Sequence, residues 1–140
     1  MRDIMKVTLG VLADFASISA DGKLNIMGIF NQVNPTSLPA SILTPFLVLK
    51  FEAEITEVDT PRTIVIKLVD ADGSQLLSGE QEITLKRPDK PGVRPNFNLF
   101  TRFPALVLPK AGDYSFEIII DKDHKFSVPL RVNEVKERSS

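Results

Sequence analysis

Apolar and polar residues alternate with a period of two along most of this chain, which restricts it to half-buried strands. Leu47, Leu49, Phe51, Ala53 and Ile55 interleave with Lys50, Glu52 and Glu54, and Tyr114, Phe116, Ile118 and Ile120 interleave with Asp113, Ser115, Glu117 and Asp121. Phe126, Val128, Leu130 and Val132 do the same against Lys125, Ser127, Arg131 and Asn133. No window keeps a helical i, i+3, i+4, i+7 stripe for three turns, so helix is limited to a single turn within Ser37 to Leu43. Turn formers recur every ten to fifteen positions or so. The expected fold is all-β, an antiparallel β-sandwich of about eight strands with immunoglobulin-like or related topology.

The turns carry registers. Asp21-Gly22, flanked by alternating runs, is a type I′ hairpin signal because that turn needs positive φ at both central residues. A two-residue loop there pairs Ala13 with Phe30, Phe15 with Gly28, Ser17 with Ile26 and Ser19 with Leu24, and lays an aromatic ring over a cross-strand glycine. Asp72-Gly73 likewise pairs Ile66 with Gly79 and Leu68 with Leu77, which puts Ile64, Ile66, Leu68, Leu77, Ile83 and Leu85 on one face. At the last hairpin, matching Ile120 to Phe126 requires an odd loop, Lys122-Asp123-His124, with His124 in the left-handed place.

Prolines 35, 39, 45, 61, 88, 91, 95 and 109 fall between proposed strands or at their ends. Pro104 divides 96–103 from a short 106–108 segment. Pro129 faces outward in the last strand and cannot donate to a ladder, so that strand is expected at an edge or bulged there.

At 140 residues the chain fits one domain over 1–140, with an ordered core of about 4–133 and frayed ends at 1–2 and 134–140. Seventeen basic against eighteen acidic side chains give no global field for nucleic acid or an anionic membrane. There is no cysteine, which removes disulfides, thiolate metal sites and thiol nucleophiles. The apolar run from Val7 to Ala13 stops at Asp14 and continues as strand, a poor signal-peptide core. No stretch approaches the roughly 18 apolar residues of a membrane span, and a cytoplasmic location is expected.

Two segments carry a resemblance: Ala20-Asp21-Gly22-Lys23-Leu24-Asn25-Ile26-Met27-Gly28-Ile29-Phe30, followed by a proline-bearing loop, and Leu108-Pro109-Lys110-Ala111-Gly112-Asp113-Tyr114-Ser115-Phe116-Glu117-Ile118. From about Lys6 to Val132 the chain resembles a family of uncharacterised bacterial single-domain proteins of about this length, a domain of unknown function. That resemblance implies a sandwich and no activity. Gly112-Asp113-Tyr114 is also similar to strand starts in immunoglobulin-like sandwiches, where a tyrosine hydroxyl ties the strand to a neighbouring loop.

Chemistry is sparse. A lone His124 builds no multi-histidine metal site, and no serine near it sits in a nucleophile elbow. Glycines 10, 22, 28, 73, 79, 92 and 112 match neither a dinucleotide fingerprint nor a phosphate loop. Asp70, Asp72, Asp121 and Asp123 resemble calcium-loop carboxylates, but if every connection reverses the chain the two pairs lie at opposite ends, and aspartate favours turns on its own account. No catalytic residue, cofactor or metal is assigned, and the chain is not read as an enzyme.

Two surfaces are candidates for binding. The same strand count gathers Asp21, Lys23, Glu57, Asp59, the 86–95 loop and 121–124 at one charged end. Lys86, Arg87, Lys90 and Arg94 in that loop fit an acidic partner or are a solvated crossover; with no interleaved aromatic, nucleic acid is not expected. Phe46, Val48, Val65, Val69 and Ile119 fall on the nominally outward side, with Val48 opposite Val69 if their strands form a hairpin, and make a candidate self-association face. The covering of Phe46 by the 34–44 loop is the competing account. The reading is a non-catalytic binding or assembly module for an unknown protein partner or a second copy of itself. The alternative is a domain for a small molecule or carbohydrate, accessory to an enzyme.

Overall fold

The computed structural model describes residues 5–136. Eleven strands run through them: β1 (Lys6–Ile18), β2 (Leu24–Phe30), β3 (Gln32–Val33), β4 (Ala40–Leu43), β5 (Phe46–Glu52), β6 (Pro61–Val69), β7 (Gln75–Thr84), β8 (Asn96–Arg102), β9 (Ala105–Leu108), β10 (Gly112–Ile120) and β11 (Asp123–Val132). The fold is all-β, with no α-helix among the described residues. The single helical turn is a 3-10 turn at Ile55–Glu57, not within Ser37 to Leu43. There, Ala40 and Ile42 alternate with Ser41 and Leu43 as β4, which pairs with β9 by setting Ala40 against Leu108 and Ile42 against Leu106. The strands beyond the expected eight or so are the short β3, β4 and β9.

The strands form a four-stranded sheet in the order β2-β1-β5-β8, a five-stranded sheet β3-β11-β10-β6-β7, and the β4-β9 pair. Neighbours are antiparallel except β3, which pairs with β11 in parallel over two residues. One apolar cluster joins the two large sheets. Leu12, Leu47, Leu49 and Phe51 come from the first, and Ile64, Leu68, Phe116 and Ile118 from the second; all are fully buried. Each such side chain contributes roughly 1.5–3 kcal/mol, so the alternation seen in the sequence is the alternation of this core.

The second Asp-Gly hairpin keeps its expected register, with Ile66 opposite Gly79 and Leu68 opposite Leu77. Its loop is one residue longer than two, because Asp70 accepts the Gly73 amide and closes the turn against Ser74. A bulge between Leu68 and Val69 restores the pairing beyond it.

The other two hairpins differ from expectation. In the first, Ser19 and Lys23 close a three-residue loop, with Gly22 alone at φ +84°. The Ser19 hydroxyl bonds to both Asp21 and Lys23, which fixes the wider loop. The register moves by one: Phe15 faces Met27, Ala13 faces Ile29 and Leu12 faces Phe30.

In the last hairpin the loop is Asp121-Lys122, both left-handed at φ 48° and 74°, and His124 lies in β11 opposite Ile119. Asp121 is held by Thr63, donating its own amide to the Thr63 carbonyl and accepting the Thr63 amide on its carboxylate. Inward parity is recovered by a bulge that sets Ile118, not Ile120, against Phe126.

Pro129 sits where β11 has β10 on one side and no strand on the other, since β3 pairs only with Arg131 and Val132. The Tyr114 hydroxyl donates to the Lys110 carbonyl at 2.7 Å and accepts the Lys110 amide at 3.0 Å, tying β10 to the loop before it. At the C-terminal side, Val135 donates to Pro35, so the chain is still anchored at a position the sequence places in a frayed end.

Candidate interaction surfaces

Each large sheet has one side in the core and one side facing away from it, and the two outward sides are chemically different. On the four-stranded sheet, the partners of inward Leu12, Leu47 and Leu49 set the phase, so Val11, Ala13 and Phe15 face outward with Phe46 and Val48. Pairing extends this side to Met27 and Ile29 on β2 and to Phe100 on β8. Phe15 is 49% exposed, Met27 67% and Ile29 60%. Phe15 packs edge-on to Phe46 with ring centres 5.6 Å apart.

The predicted self-association residues therefore separate. Phe46 and Val48 lie on the outward side of the four-stranded sheet, whereas Val65, Val69 and Ile119 lie on that of the five-stranded sheet, with Val65 opposite Ile119. Val48 does not face Val69: its partners are Val11 and Phe100, and it is fully buried beneath its outward neighbours. The expected strand three to strand four hairpin fails because β5 and β6 belong to different sheets.

The charged end is assembled in part. Arg62 bridges Glu57 and Asp121, Asp59 donates its amide to Leu85, and Ala53 donates to Pro95, so 54–62, 85–95 and 121–122 share one end. Asp21 and Lys23 lie at the other end. β1 and β5 are antiparallel with Lys6 opposite Glu52 and Ala13 opposite Phe46, and Ile18 extends past the Phe46 end. β2 and β5 both run antiparallel to β1, and β4 continues into β5 along one ladder with β9 and β8, so the β2-to-β5 connection produces no net reversal and the count is inverted.

The 86–95 loop arches over Ala53–Ile55 and encloses a cleft of about 580 Å³ lined by Arg87, Lys90 and Arg94. Arg94 is committed to Glu54 at 2.8 Å. The basic surface is thus smaller than the four bases in sequence imply.

Asp70 and Asp121 lie at opposite ends of β6, since Asp70 follows Val69 and Asp121 bonds to Thr63. Among the described residues no group of three His, Cys, Asp or Glu side chains is placed to hold a metal.

One polar cluster has catalytic residue types, on the outward side of β10 and β11. His124 Nε2 lies 2.6 Å from Glu117 Oε2 and 3.1 Å from Ser127 Oγ, and the Ser127 hydroxyl donates to the same carboxylate oxygen. A relay needs the acid on one ring nitrogen and the nucleophile on the other. Here a single nitrogen faces both, and the serine proton is already given to glutamate, so the cluster is a surface hydrogen-bonded knot. Burial alone raises the Glu117 carboxyl; bonds from Ser127, His124 and Ser115 outweigh it and hold the group below its ordinary value.

Phe15, Met27, Ile29 and Phe100 were not singled out in the sequence. Their signal was the apolar content of both phases of β1 and β2, and the one-residue register error hid it.

These observations define an all-β domain whose conspicuous unpaired feature is an apolar sheet face. The chain belongs to DUF6941, a family of unknown function, whose model matches residues 8–133. No curated protein matches it in sequence. Among solved structures, the Pseudomonas fluorescens alkylpurine DNA glycosylase AlkC, bound to DNA containing an abasic site analogue, is similar at a TM-score of 0.42 and 9% identity. That match covers 95% of this chain and 31% of the glycosylase. A likeness of that degree carries no functional inference. No helix among the described residues is long and apolar enough to cross a membrane.

Proposed function

We propose that this domain is a non-catalytic assembly module, an immunoglobulin-like β-sandwich that associates with a second copy of itself through the outward side of its four-stranded sheet. The carrying observation is the alignment of Phe15, Met27 and Ile29, each about half exposed or more, around buried Ala13 and Val48. Monomeric domains rarely expose contiguous apolar patches beyond a few hundred Å².

A second copy is the favoured occupant for two reasons. The charges on this side stand at its rim, Lys50 opposite Leu9 and Arg102 opposite Phe46, so two copies meet over the Phe15, Met27 and Ile29 centre while those long side chains keep their charges in water. With Leu9, Val11, Phe46 and Phe100 at its margins, the side offers on the order of 500 Å² of apolar surface per copy. Doubled, that is about 1,000 Å², the least area a biological interface is expected to bury and the range of weak, transient contacts.

Met27→Lys combined with Ile29→Lys tests this, because both side chains project into solvent and the fold does not depend on them. Sedimentation equilibrium is expected to show a dimer for the parent chain and a monomer for the double variant, with both folded by circular dichroism. A parent chain that is monomeric at about 100 μM, where contacts of this area normally register, would sink the proposal.

A further inference from the structure

A second feature, independent of the apolar face, lies at the side of the molecule where the edge strands β7 and β8 flank the core. Along β7 the inward positions run Leu77, Gly79, Gln81, Ile83, since these face Leu68, Ile66, Ile64 and Arg62 of β6. Along β8 they run Phe97, Leu99, Thr101, because Thr101 faces fully buried Leu47. Every large apolar residue in these two series fills the interior. Gly79, Gln81 and Thr101 do not.

The three interruptions converge. Together they open a crevice of about 360 Å³ whose floor is Ile64 and Ile66 and whose walls include Leu77 and Phe103. A Cβ built at Gly79 would meet nothing within 4 Å, so the space above Ile66 is empty rather than filled from elsewhere. Gly79 and Gln81 are exposed, so the crevice opens to solvent and leaves the apolar floor within reach of a ligand. Departures from pattern that meet at one place mark functional sites more often than chance defects do.

The geometry points to a binding site for a small, uncharged, largely apolar molecule bearing one hydrogen-bonding group. The volume falls within the roughly 300–1,000 Å³ range of ligand pockets. The floor supplies apolar contact, and Ser78, Gln81 and Thr101 are the uncharged polar residues in the lining available to orient a ligand. No basic side chain lines the crevice, and Glu80 stands at its rim, which selects against anions.

N-phenyl-1-naphthylamine, a neutral amine carrying one naphthyl and one phenyl group that fluoresces when removed from water, is the probe. The full chain is expected to bind it saturably at one site, with amide shifts in nitrogen–proton correlation spectra confined to 64–66, 77–81 and 101–103. Gly79→Leu fills the crevice and is expected to weaken binding at least tenfold while raising the melting temperature. Thr101→Leu fills it from the opposite sheet and gives the same loss if the first variant does not fold.

The Met27→Lys, Ile29→Lys variant retains binding, which separates this site from the apolar face. The sulfonated analogue 8-anilinonaphthalene-1-sulfonate binds at least tenfold more weakly. Absence of saturable binding, shifts centred on β1 and β2, or unchanged affinity in both filled variants overturns the site. Equal affinity for the sulfonate overturns its selectivity for neutral ligands.

Discussion

The outward sides of the two large sheets begin from the same alternation and end in opposite states. On the five-stranded sheet, outward Glu117, His124 and Ser127 bond to one another, Asp113 pairs with Arg131, and Val65 and Ile119 lie between Lys67, Glu80 and Lys122. On the four-stranded sheet, outward Phe15 pairs with Met27 and packs on Phe46, Ile29 pairs with Ala13, and the nearest polar pair on that side, Ser17 with Asn25, makes no bond to them. A face supplied with its own polar partners is finished as a solvent surface. The other is buried only at its centre, where Val48 and Ala13 are fully covered, and it gains from a further layer.

The sharpest way to break this comparison is to place a charge at matching positions. Val48→Lys puts an ammonium under Phe46 and its neighbours with no carboxylate opposite, since its cross-strand partners are Val11 and Phe100. A destabilisation of about 4 kcal/mol is expected, enough to unfold much of the population. Val65→Lys faces Glu80 across the ladder and is expected to cost about 0.5 kcal/mol or less. Urea denaturation of both variants reads the contrast directly. Equal losses would mean that the two outward sides are equivalent.

A smaller effect sharpens the description of the apolar side. Phe15→Ala removes the edge-on contact with Phe46, at 5.6 Å and 71° between ring planes. About 1 kcal/mol of stability is expected to go with it, seen as a lower urea midpoint at unchanged slope. A neutral result would show that the Phe15–Phe46 contact stabilises the fold little.

Much of the inward side was legible in the sequence, because burial enforces the period of two and a slip would expose every core residue. Ile64, Ile66 and Leu68 opposite Leu77 follow from pattern alone. The outward side was not legible, for two physical reasons. Asp21-Gly22 carries the dipeptide of a two-residue turn, yet the Ser19 hydroxyl stabilises a three-residue loop, so Met27 instead of Gly28 lies beside Phe15.

Asp121-Lys122 lacks glycine and still adopts both left-handed conformations, because Thr63 and Arg62 on β6 hold the aspartate from across the sheet. Turn chemistry read along the chain does not see bonds made across it. Of the crevice, the sequence pattern placed only Gly79, opposite Ile66; the part played by Gln81 and Thr101 required the order in which β7 and β8 stand at the sheet edges.

The smallest effect tests whether the polar knot on the five-stranded sheet finishes that surface electrostatically. Glu117 is held below its ordinary value of 4.5, so it binds fewer protons folded than unfolded as the pH falls into the acid range. Its contribution is therefore complete above that ordinary value and is lost as pH falls through the lower, folded one.

Glu117→Gln removes the charge while keeping a hydrogen-bonding group for Ser127 and His124. The parent chain is expected to exceed the variant by about 0.3 kcal/mol near neutral pH, the scale of partly exposed charged pairs, with the gap closing as the pH falls below 4.5. A gap of constant size across that range would assign the knot to packing and hydrogen-bond geometry instead of charge. It would also leave the two outward sides differing in polarity but not in electrostatic self-sufficiency.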